Sequence, residues 1–344
     1  MTTVLAWVLV FGVLVAVHEF GHYAVAKAVG IRVDEYALGF GPAIWARRWG
    51  ETLYALRAIP LGGYCRLAGM DGDDRGDPRS FPRKPLWQRL LVVLAGPLMN
   101  LLLAGACYVV VFGPIGVPVP TTTVGITMPG YPAQTAGVRP GDRIVAVDGQ
   151  RVDSWSALEA AIRRHARAPL RLTLVHGGVR RTVVVPTRYD AAVRQRIIGI
   201  QPRYVSAHLP IFAAIGAGVA QTAQLTALWF AQLFRLLTGQ GPFDVAGPVG
   251  MAVMVGQAVQ QGVVSLILLA AALSANLGLF NLLPVPVLDG SRLLFLGVEG
   301  IRRRPIDPEK ENLIHMVGLM VLLGFIVFVT YHDLLRLVRQ GVSG

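Results

Sequence analysis

A chain of 344 residues that is 53% hydrophobic and only 15% charged, with mean hydropathy +0.54, is too apolar for an ordinary soluble protein. It reads as a polytopic membrane protein carrying some soluble mass. The formal charge of +12 does not make it a nucleic-acid binder, because the basic residues are spread over loops with no DNA or RNA motif. Anionic lipid headgroups are the better match.

The first predicted element is an apolar span from about Val4 to Val29. Met1-Thr2-Thr3 offers no positive n-region and no cleavage pattern follows, so the span is read as retained. Lys27 and Arg32 close it and no charge precedes it, which puts the N-terminus outside by the positive-inside tendency. Within the span stands His18-Glu19-Phe20-Gly21-His22. On a helix two histidines one turn apart share a face and can reach one metal ion. Glu19 beside them can take a proton from a metal-activated water. A glutamate and two histidines at membrane depth are costly unless they have work to do.

Residues 30–89 follow. Gly39-Phe40-Gly41-Pro42 and Ile59-Pro60-Leu61-Gly62-Gly63 bracket an alternating segment, residues 51–56, with Gly50 as its turn. This predicts a β-hairpin or re-entrant loop, which membrane depth tolerates only against protein or a wet cavity; an ordinary cytoplasmic loop is the alternative. Asp71 to Arg89, rich in Asp, Arg and Pro, reads as a solvated linker. The second span is Leu90 to Phe112, left through Gly113-Pro114, and Cys107 inside it, like Cys65, reads as an unpaired thiol.

Residues 121–190 form a soluble insert. A turn at Gly137-Val138-Arg139-Pro140-Gly141-Asp142 leads into a strand, Arg143 to Val147, and Asp148-Gly149 is a hairpin signal. Asp153 or Ser154 can cap a helix through about Ala166. Strands at Leu170 to Val175 and Arg181 to Val185 turn at Gly177-Gly178.

Two more spans follow, one within Val245 to Leu288 (most lipid-like from Val263 to Leu283) and one from Asn312 to His332. A further charge-free stretch, Leu209 to Phe234, is long enough to cross, but its Gln and Thr content equally allows an interfacial helix. His18 lies roughly 21 Å deep at 1.5 Å per residue, so a partner ligand must reach that depth. Were 209–234 to cross, Asp289 would end on the opposite side; lying flat, it brings Asp289 to the histidines. The flat reading is adopted, giving about four membrane-spanning helices.

The second chemical cluster is Asn281-Leu282-Leu283-Pro284-Val285-Pro286-Val287-Leu288-Asp289-Gly290. Its prolines stop the helix and leave backbone groups without intrahelical partners, acceptable in a membrane only around a site or water-filled cavity. His18, His22 and Asp289 make three protein ligands and leave a fourth position for water, which suits catalytic zinc, one per chain.

HExxH in the first span, Asn-x-x-Pro-x-Pro-x-Leu-Asp-Gly in the third, and Gly137-x-x-x-Gly-Asp-x-Ile-x-x-Val-Asp-Gly149 in the insert together resemble the site-2 proteases, intramembrane zinc metalloproteases. The likeness is to the bacterial regulator-of-sigma-E branch, with one PDZ-like α+β domain where some members carry two. Gly96-Pro97-Leu98-Met99-Asn100 resembles that family's Gly-x-x-x-Asn motif. The resemblance implies His18, His22 and Asp289 as zinc ligands and Glu19 as catalytic base. It also implies a substrate-binding set of Asn281, Asn100 and the strand residues Thr52, Leu53 and Tyr54, along with the flat helix. The implied partners are single-span membrane substrates, such as anti-sigma factors or signal-peptide remnants, the bilayer, and a peptide or chain end in the PDZ-like groove.

The expected organisation is a first catalytic half, residues 1–112; an extracytoplasmic PDZ-like domain, 113–205; an interfacial helix and connector, 206–262; and a second catalytic half, 263–344. The protein is expected in the cell membrane as a multi-pass chain with its active site toward the cytoplasm. An idle PDZ-bearing scaffold and a metal transporter are the competing functions.

Overall fold

A computed structural model describes residues 2–70, 76–164, 169–190, 195–240, 247–304 and 306–342. The chain separates into two compact units, Met1–Val111 with Pro210–Gly344, and Phe112–Leu209.

Helix α1 (Thr2–Ala28) opens the first unit. It closes at Gly30, φ +72°, where the Ile31 N–H reaches back to the Ala26 carbonyl at 2.8 Å, the backbone closure that a left-handed glycine permits. Strands β1 (Val33–Trp49) and β2 (Thr52–Leu67) then form the expected hairpin about Gly50. Both strands bend at their Gly/Pro breaks, so the pair folds over on itself. Residues 45–49 face 52–56, while residues 35–38 sit between 53–56 on one side and 63–66 on the other. The outer arm, residues 40–50, is exposed; Val33, Glu35 and Ala37 are buried.

The stretch expected as a solvated linker is partly core. Residues 71–75 lie outside the described residues, but Phe81 is buried with Ala26, Ile31, Val33, Leu67, Val92, Val93 and Leu296. Helix α2 (Leu86–Val110) begins earlier than the predicted span and carries Arg89, whose guanidinium makes a two-pronged pair with Glu299 at 2.9 and 2.6 Å. The apolar surround, not chain composition, decides here: a bidentate pair lets an arginine be buried.

The second unit contains β3 (Val117–Thr127), α3 (Pro132–Thr135), β4 (Arg143–Val147), β5 (Gln150–Arg151), α4 (Trp155–Arg164), β6 (Leu170–His176), β7 (Val179–Val185), β8 (Arg188–Asp190), β9 (Gln195–Ile197) and β10 (Ile200–Ala207). Its main sheet has the antiparallel order β10-β3-β4-β6-β7, with β5 beside β4. Alternation does what period two requires: Leu170, Leu172 and Leu174 are all fully buried against Ile144, Val147 and Leu158. Asp148 and Gly149 both take positive φ, +50° and +83°, as a type I′ hairpin turn demands. The Ser154 hydroxyl accepts the Ala157 N–H at 3.2 Å and caps α4. The expected helix end near Ala166 lies outside the described residues.

Asp142, fully buried, shows why Gly-Asp follows that turn. Its carboxylate accepts the Arg139 N–H at 2.9 Å, an Arg181 guanidinium N–H at 2.6 Å, and the His176 ring at 2.8 Å. Burial pushes its acidity down, but these donors outweigh burial and hold the carboxyl below the usual carboxylate range. A depressed folded value means the stabilisation is present above about pH 3.9 and fades as pH falls through the folded value. Asp142→Ala is expected to cost this unit about 2–4 kcal/mol at neutral pH, read as a lowered denaturant midpoint.

The first unit resumes with α5 (Ile211–Leu237), α6 (Pro248–Gln261), α7 (Val263–Asn281), α8 (Asp289–Arg302) and α9 (Pro308–Val342). Ala214, Gly218 and Thr222 form the buried stripe of α5, with Gly218 tight against Gly105 and Val109 of α2. Gly262, φ +107°, separates α6 from α7, so within the predicted third span only α7 is an unbroken apolar helix. Serine 274 of α7 donates its hydroxyl to the Asn100 carbonyl at 2.7 Å, and Gly278 admits the Pro97 carbonyl. Among the described residues five helices are long and apolar enough to cross a membrane: Thr3–Ala28, Leu86–Ile115, Ile211–Leu236, Val263–Asn281 and Glu309–Arg336. That is one more than the spans expected, and α5 is the addition.

Candidate metal centre

The two helices that carry the opening motif and the Gly-Pro-Leu-Met-Asn motif touch through glycine. A Cβ on Gly21 would overlap the Ala95 carbonyl, and one on Gly96 would overlap the His22 Nε2 atom. The bare backbone at Gly96 is therefore the recess into which both imidazoles of α1 fit. On the other side, α7 stops at Asn281 because Pro284 and Pro286 cannot continue it. The chain crosses to Leu288 and restarts as α8 with Asp289 in its first turn. Gly290 lies against the Leu282 and Leu283 carbonyls, where no side chain fits.

This brings the three predicted ligands together. His18 Nε2 and His22 Nε2 lie 3.1 and 3.2 Å from Asp289 Oδ2 and 3.3 Å from each other. A tetrahedral zinc with bonds of about 2.0–2.1 Å holds its donors about 3.3 Å apart, so the triangle has the spacing that such an ion needs. Asp289 Oδ2 is buried and faces both Nε2 atoms, so all three atoms point at one spot, as the donors of a single ion would. The histidines' outer nitrogens are held as well. His22 Nδ1 donates to the Val92 carbonyl at 2.8 Å, which leaves Nε2 as the free donor atom. His18 Nδ1 is 3.1 Å from the Asn100 amide. Amide oxygen and nitrogen have the same shape; with its oxygen toward the ring, Asn100 accepts the Nδ1–H and pairs the Oδ1 that otherwise has no partner.

A cavity of about 330 Å³ opens from the triangle, lined among others by Glu19, Gly63, Cys65, Asn281, Val287 and Arg292. Gly63 and Cys65 line this cavity together with Glu19, and Gly63 lies against the Glu19 side chain, so the edge of residues 63–66 is beside the carboxylate. The structure thus gathers His18, Glu19, His22, Asn281 and Asp289 around one space. Asn100 is fully buried behind His18, away from the cavity wall. Thr52, Leu53 and Tyr54, expected to bind substrate, do not line this cavity, and their strand segment is paired on both sides by the folded hairpin. The Thr52 hydroxyl donates to the Val33 carbonyl at 2.8 Å and the Tyr54 hydroxyl pairs with Tyr23 at 2.6 Å. The strand edge near the site that is left unpaired belongs to residues 63–66, of which the sequence reading used only Gly63, as the end of a bracket. Their glycines were the available signal, since Gly63 leaves room beside the Glu19 side chain. Arg292 was also missed; it lies three residues past Asp289 on the same face of α8.

Residues 6–325 match the family model described as Peptidase family M50. The chain is 30% identical to the zinc metalloprotease RasP of Geobacillus kaustophilus, across 97% of this chain and 98% of the relative. It is 33% identical to the putative zinc metalloprotease Atu1380 of Agrobacterium fabrum, across 97% and 96%. It is 29% identical to the regulator of sigma-W protease RasP of Bacillus subtilis, across 98% and 99%. With nearly its whole length matched and a His-His-Asp cluster of zinc-binding dimensions, two of its members inside an apolar helix, the chain belongs to peptidase family M50, the site-2 proteases, and is a multi-pass membrane zinc metalloprotease.

Proposed function

We propose that this protein hydrolyses a peptide bond within or beside the membrane-spanning segment of single-span proteins. The observation that carries the reading is the juncture of the His18–His22–Asp289 triangle, Glu19 and the open 63–66 strand edge at one cavity. His18, His22 and Asp289 would hold a zinc ion, which would supply Lewis acidity for water activation and carbonyl polarisation. Glu19 is placed to accept a proton from a water in the cavity and, once protonated, to pass it to the leaving amine. A helical substrate must first unwind, because its carbonyls are held by i→i+4 hydrogen bonds. Pairing the unwound stretch along residues 63–66, whose other side is held by 35–38, offsets those lost bonds. Asn281, on the cavity wall, is the side-chain partner for the substrate backbone, and Asn100 orients His18 in place of touching substrate.

In the membrane, α1, α2, α7 and α9 span and α5 lies along the interface. Thr3 of α1 meets Gly256 of α6, and Val329 and Asp333 of α9 meet Gly247; these contacts mark one face of the bilayer. His18 with Asp289, and Gly318 with Pro286, mark a deeper level. The Gln and Thr residues along α5, with Arg235 in its last turn, support the interfacial placement. Lys27 and Arg32 follow the metal-site end of α1, and Lys84 precedes α2 on the side of Gly96, which supports a cytoplasmic orientation for the site. The second unit is then an extracytoplasmic PDZ-like domain, with β10 as a sheet edge for a peptide or chain end. The name of the Bacillus subtilis relative favours membrane-anchored regulators of sigma factors as substrates.

The test is reconstitution in lipid vesicles with a single-span test protein. New chain ends inside or beside the span, lost with a zinc chelator and restored by zinc, are the expected result. Zinc-loaded protein that cuts only outside the span overturns the reading.

A further inference from the structure

Val287, two residues before Asp289, has φ +80°. A β-branched residue there is strained, and such conformations persist only where the surroundings impose them. Helix α9 supplies the imposition. The Val287 N–H donates to Nδ1 of His315 at 3.0 Å, and Gly318, one turn on, lies against Pro286, where a Cβ would overlap the proline ring. For Nδ1 to accept, His315 must carry its proton on Nε2. Glu311 Oε1 lies 3.6 Å from that nitrogen, too far for a hydrogen bond but near enough to favour a proton there. The His315 and Phe295 rings pack nearly perpendicular, with centroids 5.7 Å apart at 86°. Glycine at 287 would take this backbone freely, but the valine side chain forms part of the cavity wall.

We propose that His315 is a positioning residue for the metal centre. By holding the Val287 N–H it locks the Pro286–Asp289 segment in the one conformation that presents Asp289 to the two imidazoles. The inference rests on Asp289 being a ligand. Groups that hold a ligand's side chain are worth about 10–100-fold in metal affinity; His315 acts at one remove, through the Val287 backbone, so the low end of that range applies.

The experiment measures zinc transfer from the purified full chain to a chelator, and the visible spectrum of the cobalt-loaded protein as a report on ligand geometry. His315→Phe keeps the ring's bulk without the acceptor and is expected to speed metal release at least tenfold and to alter the cobalt spectrum. His315→Asn puts an amide oxygen near the place of Nδ1 and is expected to restore most of both. In a Val287→Gly background, where the backbone needs no restraint, His315→Phe is expected to have a smaller effect. Wild-type release and spectrum in His315→Phe, or no recovery in His315→Asn, overturns the proposal. Asp289→Ala, measured in parallel, separates the two claims. Undiminished zinc in Asp289→Ala removes the ligand assignment, whereas zinc loss there with retention in His315→Phe removes only the positioning role.

Discussion

Glu19→Gln is expected to bind zinc as the wild type does and to lose at least about 10³-fold in cleavage rate. Glutamine keeps the shape, so the cavity, the His18–His22 pair one residue away and three away, and the metal content are all preserved. What it removes is the one carboxylate beside the triangle that is not itself among the three candidate donors. An amide cannot accept the water's proton at neutral pH, and no other carboxylate lines the cavity among the described residues apart from Asp289, whose Oδ2 is already committed to the triangle. Side-by-side metal analysis and turnover of a single-span substrate decide the matter. Activity within tenfold of wild type in a zinc-replete Gln variant takes the base role away from Glu19.

The second large effect concerns the ligands. Removing His22 or Asp289 leaves two protein donors of three, and His22→Ala or Asp289→Ala is expected to drop zinc from about one per chain to near zero after dialysis, with activity lost in step. The geometry argues that the two should behave alike, since each side of the triangle is 3.1–3.3 Å and no donor is peripheral. Excess zinc should recover part of the activity if two ligands still locate the ion, and none if Glu19 loses its partner. Full metal content in dialysed Asp289→Ala displaces it from the centre.

Much of this was legible in the chain because the relevant signals are local or strictly periodic. HExxH fixes its own geometry through the helical repeat, and the Pro-x-Pro break announces itself by forbidding a helix. The strands of the second unit follow from alternation and glycine turns, as Leu170, Leu172 and Leu174 illustrate. The misreadings arose where pairing partners are remote. Thr52 to Tyr54 look like an edge strand to any period-two reading, since alternation says nothing of how many neighbours a strand has; only the fold-over at the Gly/Pro breaks covers both sides. Asn100 joins His18 across 82 residues, and nothing local distinguishes an asparagine turned toward a ligand from one turned toward a substrate. Phe81 sits in a charged, proline-rich neighbourhood that composition alone calls solvated, yet it plugs the core. His315 did carry a readable mark, an ionisable pair with Glu311 one turn apart at the mouth of an apolar helix.

The separation of the donors along the chain has a bearing on biosynthesis. Two of the candidate donors lie in α1, while the third is made only after the whole second unit and helices α5 to α7. Until that late segment is inserted and clamped, the nascent polypeptide contains a glutamate and two imidazoles but no centre able to cut. A membrane zinc metalloprotease assembled in this order is therefore disarmed while its own helices are still being threaded into the lipid.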